Sequence, residues 1–119
     1  MDMVEIGRIR KAIQNEAFVQ RVFTEAEQQY CYSRKTKAYE SFAARFAGKE
    51  AVMKAFGTGL RGGRWTEIEI LPDELGAPHV TLTGYFARLA SNLGVERTWI
   101  SLSHTRDYAA AQCVMEGNE

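Results

Sequence analysis

Arg45, Lys49, Glu50 and Lys54 fall close together in one stretch of the chain, and their types and spacing are suited to handling charge. Glu50 stands four residues after Phe46 and four before Lys54. On a helix this places a carboxylate and an ammonium on one face beside an apolar stripe, with Arg45 and Lys49 a turn earlier. Such an edge is able to react; it also reads as an exposed Glu-to-Lys pair adding roughly 0.2–0.5 kcal/mol to the helix. Two further acids, Asp2 and Glu5, open the chain, either as solvated terminal acids or as oxygen ligands for a hard cation. His104 lies between Ser103 and Thr105 at a strand end or hairpin tip. Adjacent strand residues point to opposite faces, so Ser103 and His104 form no nucleophilic pair. His79, inside a strand pattern, is read as structural. The remaining charges of interest are Arg8, Arg10, Lys11 and Arg21, a local basic cluster that is either idle and solvated or a docking surface for an acidic partner.

These side chains need elements to hold them. Tyr39, Phe42, Phe46, Met53 and Phe56 recur at helical spacing from Ala38 onward, and Gly57 follows where a left-handed cap is expected. That helix organises the chain, with Ser33 or Thr36 as its expected N-cap. Met1 to Ile6 reads as a short strand, with Asp2, Val4 and Ile6 facing one way. Ile9, Ala12, Ile13, Ala17 and Phe18 mark Gly7 to Arg21 as one amphipathic basic helix. Thr24 with Glu27 three residues on is a capping box for a helix to about Tyr32. Gly57 to Arg64 is a cap and flexible connection, with Arg61 and Arg64 as auxiliary charges. It follows a helix C-terminus, whereas anions favour N-termini. Trp65–Leu71 and His79–Thr83 alternate as two strands of a hairpin. Gly84–Leu93 is helical, and Val95–Ser103 and Tyr108–Met115 are strands. Glu116 to Glu119 is expected to fray.

Composition bounds the reading. The chain has 119 residues, 45% hydrophobic and 25% charged, with 15 basic against 15 acidic side chains. Bulk charge of this kind argues against a nucleic-acid or membrane partner, so any electrostatic role is local. The length fits one domain, 1–119, small enough that oligomerisation would add useful burial. No basic, apolar leader and no run near ~18 apolar residues is seen, which predicts a cytoplasmic protein. Cys31 and Cys113 have no paired spacing and are read as free thiols.

Taken together, the residues resemble the holo-acyl-carrier-protein synthases, the small trimeric 4'-phosphopantetheinyl transferases. Asp2-Met3-Val4-Glu5-Ile6 looks like the family's acidic first motif. Arg45 to Gly59 closely matches its W/F-x-x-K-E-x-x-x-K signature. Ser103-His104-Thr105 with Tyr108-Ala109-Ala110-Ala111 matches its C-terminal motif. The middle motif is highly specific, the last moderately so, and the first is weak alone. In the family a short apolar strand with glycines precedes the aspartate; here only Met1 does. That strand is expected to be shortened or absent, through a late start site or a tolerated loss, with less backbone support for Asp2.

The resemblance implies an α+β fold, antiparallel strands packed against a long helix, three chains around a strand-lined centre and active sites between subunits. It implies transfer of phosphopantetheine from coenzyme A to a serine of acyl carrier protein, releasing 3',5'-ADP, in fatty-acid biosynthesis. Attack on a phosphorus surrounded by negative oxygens demands charge neutralisation. Mg2+ usually combines one or two carboxylates with phosphates and water, a role implied for Asp2 and Glu50. By the same resemblance Lys54 contacts the coenzyme A phosphates, Arg45, His104 and Thr105 hold the nucleotide end with its 3'-phosphate, and Lys49 gives further positive support. Glu50 acting through a metal-bound water is the candidate base, although a metal-ligated carboxylate is a poor one. Arg8 and Arg21 are expected to dock the acidic carrier. Two rivals stand beside this reading: a non-catalytic coenzyme A or nucleotide-binding module with an impaired metal site, and a purely structural subunit that binds no coenzyme A. Turnover separates the first rival from the enzyme, and coenzyme A binding separates the second.

Overall fold

The structure, a computed structural model, describes residues 1–117. The chain runs β1 (Asp2–Glu5), α1 (Ile6–Ala12), α2 (Glu16–Val22), α3 (Glu25–Ser33), α4 (Ala38–Phe56), β2 (Ile68–Pro72), β3 (Pro78–Leu82), α5 (Gly84–Asn92), β4 (Val95–His104) and β5 (Tyr108–Gly117). β1, β5 and β4 form one antiparallel sheet with β5 central, and β2 and β3 form a separate hairpin. This is the expected mixed architecture of antiparallel strands against a long helix.

Helix α4 is the centre of the packing. It lies over β5, with β1 along one flank and β4 along the other, and β2 and α3 on further sides. Burial on nearly all sides explains why its sequence is apolar almost all round rather than along one stripe. Its ladder ends at Gly57, which at φ 78 adopts the left-handed conformation that a side chain would disfavour. Within it Gly48 permits the close approach to both sheets: a Cβ there would stand 2.6 Å from Ile70 Cδ1 and 3.1 Å from Ile100 Cδ1. One cluster gathers β1, α1, α2 and the first half of α4 around Phe42, Phe23 and Ala109; a second gathers β2, β3 and α5 around Val52, Ile70 and Phe86.

The strands alternate as the sequence predicts. Asp2 and Val4 point in toward α4 while Met3 and Glu5 point out, and Thr98, Ile100 and Leu102 face in opposite Trp99, Ser101 and Ser103. Asp2 pairs in register with Ala111, so its backbone support is a full ladder position despite the short lead-in. The capping box at Thr24 is complete: Thr24 N–H donates to Glu27 Oε1 at 2.9 Å and Glu27 N–H to Thr24 Oγ1 at 3.1 Å.

Four local expectations are corrected. The single basic helix over 7–21 is two helices, because Asn15 caps α2 by accepting from the Ala17 and Phe18 N–H groups and so starts a new helix. Neither Ser33 nor Thr36 caps α4; Lys35–Lys37 is a 3-10 turn that feeds it directly, and Ser33 Oγ donates back to Tyr30 O. Trp65–Glu67 is a 3-10 turn before β2, held because Glu67 accepts from the Arg64 and Tyr85 N–H groups, which also depresses its pKa. Glu116 and Gly117 continue β5, and Asn118 and Glu119 lie outside the described residues.

Candidate functional site

On the β1 flank of α4 the structure gathers Asp2, Glu50 and Lys54. Asp2 is 5% exposed, and its Oδ1 accepts from Lys54 Nζ at 2.7 Å while the rest of the lysine stays in solvent. Lys54 thus bonds Asp2 rather than forming the simple helix pair with Glu50. That contact raises the lysine's pKa, chiefly through the hydrogen bond and then through the aspartate's charge. Glu50 is shifted upward too: burial is the main cause and the neighbouring Asp2 charge adds, against smaller opposing effects of Lys54 and Arg8. Two carboxylates held close enough to repel, with an ammonium at hand, make a place where positive charge is wanted. Among the described residues no third His, Cys, Asp or Glu joins them. The donor set fits a hard cation whose other ligands are phosphate oxygens and water.

The other flank carries a different half of the chemistry. A cleft of about 200 Å³ between α3, α4, the β2–β3 hairpin and the end of β4 is lined by Arg45, His104, Glu40, Ser41, Tyr30 and Arg34 among others. Arg45 is 5% exposed and fixed by its own bonds: Nε donates to Ile70 O at 3.0 Å and Nη1 to Ser41 O at 3.3 Å. His104 Nε2 stands 3.5 Å from Glu40 Oε2. Thr105, beside His104, tightens the turn by accepting the Tyr108 N–H at Oγ1, 3.2 Å. Three cationic or protonatable groups against a single carboxylate give this cleft a charge balance that suits an anion.

Lys49 does not join either group. It is fully buried, 2.7 Å from Glu27 Oε1, and donates to Ile68 O at 2.6 Å and Trp65 O at 3.1 Å. The second oxygen of Glu27 accepts the Ile70 N–H at 2.8 Å. Its expected contact with coenzyme A is therefore corrected: the pair ties α3, α4 and β2 together inside the protein. Burial pulls the lysine pKa down, and Glu27 opposes that pull. Such a pair tolerates burial because every polar atom is bonded.

Arg8 and Arg21, although on separate helices, meet on one open surface with Lys11 and Phe18. Arg21 lies 6.0 Å over the Phe18 ring. A neighbouring hollow of about 270 Å³ runs from Arg8 and Phe18 past Phe46 to Glu50, so the basic surface leads to the carboxylates. The thiols are free, as expected, and burial pushes Cys31 up to about 12 and Cys113 to about 11, which disfavours the reactive thiolate.

Sequence reasoning missed Tyr30, Arg34 and Glu40. Arg34 sits in what reads as a polar connector, and Glu40 lies outside the family motif. The signal available was position: Glu40 and Ser41 stand one helical turn before Ala44 and Arg45.

The family model of the 4'-phosphopantetheinyl transferase superfamily matches residues 1–113. The chain belongs to this family. A curated relative from Ruminiclostridium cellulolyticum, a holo-[acyl-carrier-protein] synthase, is 49% identical over 117 residues, covering 96% of this chain and 87% of the relative. The solved holo-[acyl-carrier-protein] synthase of Neisseria meningitidis superposes with a TM-score of 0.85 at 32% identity, over 97% of this chain and 94% of that one. That of Bacillus anthracis, in complex with CoA (3',5'-ADP), gives 0.81 at 31% identity, over 98% and 93%. This transferase therefore keeps the family fold throughout its described length.

Proposed function

We propose that this chain transfers 4'-phosphopantetheine from coenzyme A to a serine hydroxyl of an apo acyl carrier protein, with Mg2+, as a homotrimer whose sites lie between subunits. One observation carries the reading: the two halves of the chemistry stand on opposite flanks of α4 in the same chain. From Arg45 to Lys54 the helix turns through about two and a half revolutions and advances about 13.5 Å, so the two side chains leave it on opposite sides. A single ligand does not reach both around a buried helix. Two chains side by side bring the Arg45–His104 cleft of one to the Asp2–Glu50–Lys54 edge of the next. The outward sheet face supports the assembly, because Met3, Trp99, Tyr108 and Val114 expose between 43% and 60% of their surface there.

In the reaction the serine oxygen bonds to the phosphorus that carries pantetheine, the diphosphate bridge breaks, and 3',5'-ADP leaves with the bonding electrons. The serine proton passes to a base, for which Glu50, its pKa raised mainly by burial, is the candidate on this edge. Asp2 and Glu50 would hold Mg2+, which supplies charge neutralisation on the diphosphate. Lys54 reaches the phosphates, Arg45 and His104 hold the nucleotide end, and Thr105 lies next to them. Arg8, Lys11 and Arg21 receive the acidic carrier. Coenzyme A and an acyl carrier protein as substrates make cytoplasmic fatty-acid biosynthesis the setting, with no nucleic acid or membrane as partner. The test incubates the purified protein with apo carrier, coenzyme A and Mg2+ and weighs the carrier. The expected result is a carrier heavier by one phosphopantetheine with equimolar 3',5'-ADP; an unmodified carrier overturns the reading, and coenzyme A binding then separates a binding module from a structural subunit.

A further inference from the structure

Arg34 ends α3 as its C-terminal cap residue and lines the same cleft as Arg45 and His104. Both arginines lie over the ring of Tyr30, Arg45 with its guanidinium carbon 4.5 Å from the centroid and Arg34 at 5.9 Å. Their roles differ. Arg45 is buried and already commits Nε and Nη1 to backbone carbonyls, whereas Arg34 is exposed and forms no salt bridge among the described residues. Two guanidinium groups sharing one ring would repel unless something between them is negative. Glu40 Oε2 stands 3.5 Å from His104 Nε2 on the α4 side of the cleft.

We propose that Arg34 is a specificity-determining residue that grips the 3'-phosphate of coenzyme A, with Tyr30 as the positioning residue that holds its guanidinium over the cleft. The assignment rests on the proposed placement of the nucleotide at Arg45 and His104. A phosphate dianion there accepts from the free edge of Arg45 and from Arg34 together, and the ring limits how far Arg34 swings away. A nucleotide without a 3'-phosphate leaves Arg34 with nothing to hold, so this arginine separates the two.

The experiment compares coenzyme A with 3'-dephospho-coenzyme A as substrates, and 3',5'-ADP with 5'-AMP as calorimetric ligands, in wild type, Arg34→Gln, Arg34→Lys and Tyr30→Leu. Arg34→Gln should raise KM for coenzyme A, and Kd for 3',5'-ADP, about tenfold, the scale of one charge-assisted hydrogen bond. The constants for the dephosphorylated pair should move less than twofold. Arg34→Lys should recover part of the loss, and Tyr30→Leu should reproduce part of it with the same selectivity. Equal changes for both members of each pair, or no change in either, overturn the assignment. So does a wild type that binds 3',5'-ADP and 5'-AMP equally. A 3',5'-ADP preference that depends on Arg34, in a protein that transfers nothing to the carrier, would uphold Arg34 and overturn the proposed reaction.

Discussion

At the scale of single residues, function is set against stability most clearly at Glu50. Its pKa is raised, so folding disfavours the ionised carboxylate, and the protein carries that cost at any pH above the raised value. The cost is relieved if the carboxyl is made neutral. Glu50→Gln should consequently melt at the same temperature as wild type or higher, while transfer falls by at least ~10²-fold through loss of charge stabilisation at the diphosphate. Asp2→Asn should lose activity to the same degree. Calorimetric melting and the carrier-modification rate decide this together, and near-normal activity in folded Glu50→Gln would sink the metal-pair assignment. The contrast with Lys49 is instructive: also charged and adjacent in sequence, it leaves α4 about 100° further round and serves the fold through Glu27.

At the scale of elements, most of the fold is legible in the sequence because its signals are local. The Thr24 capping box, the Gly57 cap and the period-two alternation of β4 each involve residues within a few positions of one another. The parts that are not legible have a local signal masked by a stronger pattern or depend on contacts distant in sequence. Asn15 interrupts the basic helix where an apolar stripe continues, and Lys49 is buried only because Glu27, on another helix, is there to meet it. Across the break between α1 and α2, Arg8, Lys11 and Arg21 still border one surface with Phe18. An acidic carrier approaching that surface should be attracted in proportion to unscreened charge, with the Debye length falling from about 10 Å at 0.1 M salt to about 3 Å at 1 M. Reversing Arg8 and Arg21 to Glu should raise KM for the carrier much more than KM for coenzyme A, and added salt should do the same to wild type. A merely solvated basic face would leave both constants within about twofold. Steady-state kinetics with each substrate varied in turn reads the difference, and equal shifts would count against this surface.

For the whole molecule, the decisive feature is the sheet face turned away from α4. Met3, Trp99, Tyr108 and Val114 expose apolar side chains on this face, and Trp99 pairs in register with Val114 so that the two stand side by side. A patch of this kind on a free monomer invites association, and a rotational arrangement closes it without leaving a sticky edge. The same closure would join half-sites that one chain keeps apart, so assembly and activity should be inseparable. Light scattering at micromolar concentration should give the mass of three chains, and dilution should lower specific activity along the same curve as the trimer. Trp99→Glu with Val114→Lys places charges where the apolar pair meets its neighbours. This variant should be a folded monomer with unchanged helical circular dichroism and no measurable transfer, although neither substituted residue belongs to the cleft or to the carboxylate edge. Full activity in that monomer would show that one chain completes the site alone and would overturn the interfacial arrangement.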